Sequence, residues 1–179
     1  MPNALIIGSS GGIGAALKGN LQQRGYAVRG LSRSQDDLDI TDESSIEAHL
    51  SQVEGEFDLV IIATGALSIE AHGPEKSLGS IRAEAMTAQF MLNSIGPILV
   101  LKHAKRLLPR HRRAVFAALS ARVGSIGDNH LGGWYSYRAS KAGLNQLIRT
   151  ASIELKRTHR HLICVSLHPG TVATKFTEA

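Results

Sequence analysis

Apolar positions fall along this chain in two rhythms. Short unbroken runs recur: Ala4-Leu5-Ile6-Ile7, Tyr26-Ala27-Val28, Leu59-Val60-Ile61-Ile62, Ala114-Val115-Phe116 and Leu162-Ile163-Cys164-Val165. Unbroken runs, as opposed to period-two alternation, suit strands buried on both faces and predict a parallel sheet covered by helices. Between them, residues 13–24, 80–108 and 140–157 carry apolar side chains at helical spacing, for example Leu144, Leu147, Ile148, Ala151 and Leu155. Strand and helix alternate throughout, which predicts a doubly wound, three-layer αβα Rossmann-type domain with right-handed crossovers. No linker, repeat or low-complexity tract interrupts the pattern, so residues 1–179 read as a single domain.

Composition narrows the class. With 179 residues, 43% of them hydrophobic, the chain can bury a sizeable core. A lone cysteine, Cys164, excludes an internal disulfide framework, and no Cys/His set has zinc-ligand spacing, so no metal site is expected. No apolar run approaches the roughly 20 residues needed to cross a bilayer. Residues 1–17 show neither a basic segment ahead of the apolar stretch nor a signal-type cleavage site, so a cytoplasmic location is expected. The formal charge of +5 suits phosphate-bearing partners and is silent on fold.

The first strand runs straight into Gly8-Ser9-Ser10-Gly11-Gly12-Ile13-Gly14, where a helical pattern begins. Glycines at such a turn permit positive φ and let the backbone approach a pyrophosphate, whose charge then meets the free N–H groups of the helix N-terminus. Gly8, Ser10, Gly12, Ile13 and Gly14 are the candidate dinucleotide contacts. At the end of the second strand, Leu31-Ser32-Arg33-Ser34 puts serine where an acid would grip a ribose 2′-hydroxyl, and Arg33 offers a planar fork to a 2′-phosphate. NADP(H) is therefore expected in preference to NAD(H). Asp36 or Asp37 as a ribose acid is the competing assignment.

Tyr137 and Lys141 stand four apart where a helix begins and so share a face. A phenol with a pKa near 10 is a poor proton donor-acceptor at neutral pH, and an adjacent ammonium lowers that value. A hydride delivered to a carbonyl carbon leaves an alkoxide that such a tyrosine can protonate.

The glycine loop and Tyr137-x-x-x-Lys141, in this order and separation, resemble the short-chain dehydrogenase/reductases over essentially the whole chain. The resemblance implies carbonyl–alcohol interconversion. It gives Asp39 and Ile40 a role at the adenine, Asn93 the role of anchoring a proton-relay water, and Lys141 a role at the nicotinamide ribose. Gly65 is the glycine retained after the strand ending Ile62-Ala63-Thr64, in place of the family's Asn-Asn-Ala-Gly. Pro169, Gly170, Val172 and Thr174 fall in the loop that meets the nicotinamide. The family's catalytic serine position, three before Gly124, is Ala121; Ser120 is the candidate substitute for orienting the carbonyl, and Ser125 another. Leu119 to Ile126 and Gly132 to Tyr137 look most like the C-factor and insect carbonyl-reductase-like branch. That likeness and the altered serine raise an alternative, a nucleotide-binding signalling or sensor protein with little catalysis. The resemblance also implies a homo-oligomer, dimer or tetramer. Against the family pattern 179 residues is short, so a final strand and helix are expected to be missing, with the last strand left as an apolar sheet edge.

Other features have plainer readings. The cations Lys102, His103, Lys105, Arg106, Arg110, His111, Arg112 and Arg113 complement a helix C-terminus, and without interleaved aromatics nucleic acid is not expected as a partner. Trp134 and Tyr135 suit either the wall of an apolar substrate pocket or packing. His168 reads as a hydrogen-bonded loop residue and Cys164 as a buried, inert thiol.

Overall fold

In the computed structural model, which describes residues 1–69 and 72–170, all five predicted strands form. They are β1 (Asn3–Ile7), β2 (Ala27–Leu31), β3 (Leu59–Ile62), β4 (Ala114–Leu119) and β5 (Leu162–Leu167). Every pairing is parallel and the order is β2-β1-β3-β4-β5. Ala4 is in register with Val28 on one side and Leu59 on the other, so β1 is central and buried on both faces. Alternate side chains of β1 feed two cores. Ala4 and Ile6 pack with Leu21 of helix α1 (Gly12–Gln23). Leu5 and Ile7 enter a larger core with α3 (Glu43–Ser51), α5 (Gly96–Ala104) and α6 (Tyr135–Leu155). The result is the Rossmann-type layering the pattern predicts.

The helices depart from the sequence expectation in four places. The short helix α2 (Arg33–Asp36) and helix α3 were not foreseen; α3 is nine residues long and offers the core only Ile46 and Leu50, too few to show a period. It starts because Asp42 accepts a hydrogen bond from the Ser44 N–H at 2.9 Å. Residues 80–108 are not one regular helix: α4 (Ala83–Phe90) passes through a wider π-helical turn, Met91–Ile95, into α5. Pro97 has no N–H to offer the Asn93 carbonyl four residues back, and the Gly96 N–H reaches Met91, five back. Finally, α6 begins at Tyr135, two residues ahead of Tyr137, and five ahead of the stretch at 140–157 whose apolar spacing is helical.

Among the described residues β5 ends the sheet. Its Ile163 and Leu167 are 38% and 44% exposed, the apolar edge expected for this strand. At the opposite end of the molecule's charge pattern, much of the basic cluster is engaged internally. Lys102 and His103 meet Glu43, Arg106 donates to the Leu50, Ser51 and Val53 carbonyls at the C-terminal end of α3, and Arg112 pairs with Glu56 and Asp58.

Candidate active site

The C-terminal ends of β1, β3 and β4 meet at one edge, where the strand order reverses between β1 and β3. Crevices at such points hold ligands in open α/β sheets. The turn after β1 is tight: Gly8 has φ +87°, and a Cβ on Gly14 would lie 2.1 Å from the Gly8 carbonyl oxygen. Only glycine fits there, and α1 therefore begins hard against the strand. Its N-cap, Gly11, provides no side-chain bond to the first turn, so the N–H groups near Gly12, Ile13 and Gly14 are left for an anion. Ser10 lies exposed on the rim and accepts a hydrogen bond from Ser34 at 2.8 Å. Two buried hydroxyls beside this turn, Ser9 Oγ and Thr64 Oγ1, have no hydrogen-bond partner among the described residues. The uncapped helix start, the backbone cradle and the orphaned hydroxyls fit a dinucleotide.

At the tip of β2 the exposed Arg33 opens α2. Asp36, the rival ribose acid, is folded back: its Oδ2 accepts from the Ser32 N–H at 2.8 Å and from the Ser32 hydroxyl at 3.3 Å. Asp37 is exposed with φ 58°. Hydrogen bonds from the Thr41 hydroxyl and N–H hold the Asp39 carboxyl below its usual pKa, with a smaller contribution from Arg33. The Ile40 side chain is 4% exposed and belongs to the core, which leaves its backbone as the part available to an adenine.

Tyr137 and Lys141 lie one turn apart on α6, 6% and 3% exposed. Lys141 Nζ is 5.9 Å from the Tyr137 ring centroid and donates to the Leu119 carbonyl at 2.9 Å. Trp134 packs edge-on against the Tyr137 ring at 6.3 Å. Burial moves both groups toward neutrality, pushing the phenol up to about 12 and the ammonium down to about 8. The lowered phenol expected from the spacing is thus not what the structure gives. The pair is too dry, and Nζ is turned toward a carbonyl.

Gly65 joins this pair to Asn93. At φ +149°, a Cβ on Gly65 would lie 2.9 Å from Asn93 Oδ1 and 3.2 Å from Lys141 Nζ. Asn93 is fully buried in the π-helical turn; its amide donates to the Ala66 carbonyl and to Gln89 and accepts from the Ala66 N–H. Gln89 in turn donates to the Leu67 carbonyl at 2.8 Å. Two buried amides on one helix thereby clamp the loop that follows β3.

Ser120 follows β4 directly and is buried. Its hydroxyl donates to Asn145 Oδ1 at 2.7 Å, two helical turns beyond Tyr137. That proton is spent, so Ser120 cannot give it to a substrate oxygen without breaking the bond. Its neighbour, facing otherwise at the strand end, is Ala121. Ser125 is exposed. His168 Nδ1 accepts from the Arg122 N–H at 3.2 Å, a loop role as expected. Burial pushes Cys164 up to about 11, which suits an unreactive thiol. Pro169 and Gly170 follow β5 without regular structure; Val172 and Thr174 lie outside the described residues.

Sequence reasoning missed Glu75, Gln89 and Asn145. Asn145 lies four residues past Lys141 and was findable by continuing the Tyr137-Lys141 periodicity. Gln89 stands four before Asn93 in the same way. Glu75 carries no local signal, because its partners are 61 residues away.

A sequence model of the short chain dehydrogenase family matches residues 2–179. A 1-hydroxy-2-glutathionyl-2-methyl-3-butene dehydrogenase of Rhodococcus sp. (strain AD45) is 28% identical over 194 residues, covering 99% of this chain and 81% of that protein. C-signal of Myxococcus xanthus is 36% identical over 101 residues, 55% of this chain and 58% of that protein. Among solved structures, a protein of Burkholderia multivorans described as a short-chain dehydrogenase/reductase with bound NADP superposes with a TM-score of 0.82 at 25% identity, covering 98% of this chain and 81% of that one.

Proposed function

The chain belongs to the short-chain dehydrogenase family, and on that premise we propose that it is an NADP(H)-dependent oxidoreductase interconverting a carbonyl and an alcohol. The observation that carries this reading is the buried Tyr137–Lys141 pair, with Lys141 Nζ and Asn93 Oδ1 closing on the space that a Cβ on Gly65 would fill. When bound, the nicotinamide supplies the hydride to the carbonyl carbon. Tyr137 gives its phenol proton to the carbonyl oxygen, completing the alcohol. Burial alone pushes the phenol up to about 12, so it holds its proton through the neutral range and gives it up only to the stronger base that hydride transfer creates, an alkoxide. Lys141, an ammonium below about 8, steadies the phenolate that remains and faces the nicotinamide ribose. Asn93 anchors the relay that returns a proton to Tyr137.

The same reading assigns Gly8, Ser10, Gly12, Ile13 and Gly14 to the pyrophosphate, Asp39 and the Ile40 backbone to the adenine, Gly65 to the ribose side, and Pro169 and Gly170 to the nicotinamide. Arg33 takes the 2′-phosphate, supported by its exposure at the tip of β2 and by the diversion of Asp36 into the Ser32 bonds. The protein from Burkholderia multivorans binds NADP, which agrees with the preference. A cytoplasmic homo-oligomer completes the proposal; among the described residues no helix is long and apolar enough to cross a membrane.

A second reading, a cofactor-binding signalling or sensor protein, is favoured by one observation. The position expected to hold the catalytic serine is Ala121, and the adjacent hydroxyl of Ser120 is bound to Asn145. The stretch shared with C-signal points the same way. One experiment separates the two: titrate NADPH and NADH, then follow NADPH oxidation across a panel of aldehydes, ketones and 1,2-diketones. Turnover on any of these, with NADPH bound more tightly than NADH, is expected. Tight cofactor binding without oxidation of any panel member favours the sensor, and tighter NADH binding overturns the role given to Arg33.

A further inference from the structure

We infer that Glu75 is a positioning residue for the reaction, a carboxylate from the loop after β3 that caps the first turn of α6 from a distance and thereby places Tyr137. The inference rests on Tyr137 as proton donor.

Tyr137 is the third residue of α6, inside the turn whose N–H groups have no partner within the helix. Such turns fray unless a side chain caps them, and the residue ahead, Trp134, is in the left-handed region at φ 54° and supplies no side-chain cap. Glu75 supplies it instead. Its Oε2 accepts from the Ser136 N–H at 3.2 Å and its Oε1 from the Ser136 hydroxyl. Its backbone carbonyl accepts from the Trp134 N–H at 2.5 Å. One residue thus holds the residue on each side of Tyr135 and fixes the path of the chain into Tyr137.

The side chain is an expensive choice for a cap. It is 7% exposed and in no ion pair among the described residues. Desolvation works against its charge, but the Ser136 hydroxyl, the backbone N–H of Glu75 itself and the Ser136 N–H together outweigh it and hold the carboxyl below its usual pKa. The positive end of a 21-residue helix adds to that compensation. A serine or aspartate at residue 134 would cap the helix without burying a carboxylate. What Glu75 provides beyond such a cap is a link to the opposite wall. It lines one cleft together with Tyr137, Leu67, Ile69, Pro74, Ala85 and Gln89, so the phenol is held in register with the loop facing it. A displacement of about 1 Å at a reacting group costs on the order of 100-fold in rate.

The test compares Glu75→Ala, Glu75→Gln and Ser136→Ala with the unaltered protein for kcat, KM, NADPH affinity and folding by far-ultraviolet circular dichroism. Glu75→Ala is expected to lower kcat about 10-fold or more while KM, NADPH affinity and folding change less than about 2-fold. Glu75→Gln, which keeps an oxygen for the Ser136 N–H, recovers most of the loss, and Ser136→Ala falls between. Unchanged kcat in Glu75→Ala, or a loss matched in NADPH affinity, overturns the inference. A second readout needs no turnover. With 13C at the tyrosine Cζ, the Tyr137 resonance, assigned by its absence in Tyr137→Phe, is expected to shift in Glu75→Ala and return in Glu75→Gln while Tyr26 stays in place. An unmoved Tyr137 line overturns the inference even where no substrate is turned over, whereas an inactive unaltered protein counts against the proposed reaction alone.

Discussion

Lys141 shows at the scale of one residue how burial and chemistry pull against each other. Its ammonium is held at 3% exposure and donates to the Leu119 carbonyl, and burial brings its pKa down to about 8 from 10.5. The folded state therefore releases a proton near pH 8 that the unfolded chain keeps to about 10.5. With more protons on the unfolded state, stability rises with pH through that window. Cys164 and Tyr137, both raised, act in the opposite sense above about 9 and 10, so the comparison must be against a variant that alters Lys141 alone. Urea unfolding of the unaltered protein is expected to gain stability from pH 7.5 to 9 relative to Lys141→Met; parallel curves for the two would contradict the burial of a titrating ammonium. Tyr137 and Lys141 were legible in the sequence because one turn of helix fixes their relation. The direction of their pKa shifts was not, because it depends on how much protein surrounds them. Ser120 was ambiguous for a related reason: a strand end fixes alternation but not which neighbour the hydroxyl meets, and here that neighbour is Asn145.

At the scale of elements, the loop after β3 and the helices facing it form one unit. Asn93 and Gln89 clamp residues 66 and 67, Glu75 bonds to the start of α6, and Gly65 lies between Asn93 and Lys141. The π-helical turn at Asn93 is part of this unit, following from Pro97. A methyl group at residue 65 tests the arrangement. Gly65→Ala is expected to cost about 1–3 kcal/mol of stability from the positive φ and, by pressing on Lys141 Nζ and Asn93 Oδ1, to lower turnover by at least about 10-fold. Unfolding and steady-state kinetics check both; unaltered turnover would mean that the gap at Gly65 is not part of the reaction site. Strands and α1 were legible because buried parallel strands carry unbroken apolar runs. The boundaries of α4, α5 and α6 were not, since they depend on a wider turn and on a cap supplied from 61 residues away.

For the whole molecule, the parallel order β2-β1-β3-β4-β5 brings the glycine turn, the loop after β3 and the face of α6 to one edge of the sheet. Proximity in space, not in sequence, makes the site: Gly14, Gly65, Asn93 and Lys141 span most of the chain. The layering was legible from alternation alone, and the cofactor edge from the glycine turn placed between a strand and a helix. The central claim is that Tyr137 donates the proton in a nicotinamide-dependent reduction. It is tested most directly by Tyr137→Phe, measured side by side for NADPH affinity and for carbonyl-dependent NADPH oxidation. The expected result is affinity within about 2-fold of the unaltered protein and turnover reduced by at least about 100-fold; turnover left intact by the loss of one hydroxyl would contradict it.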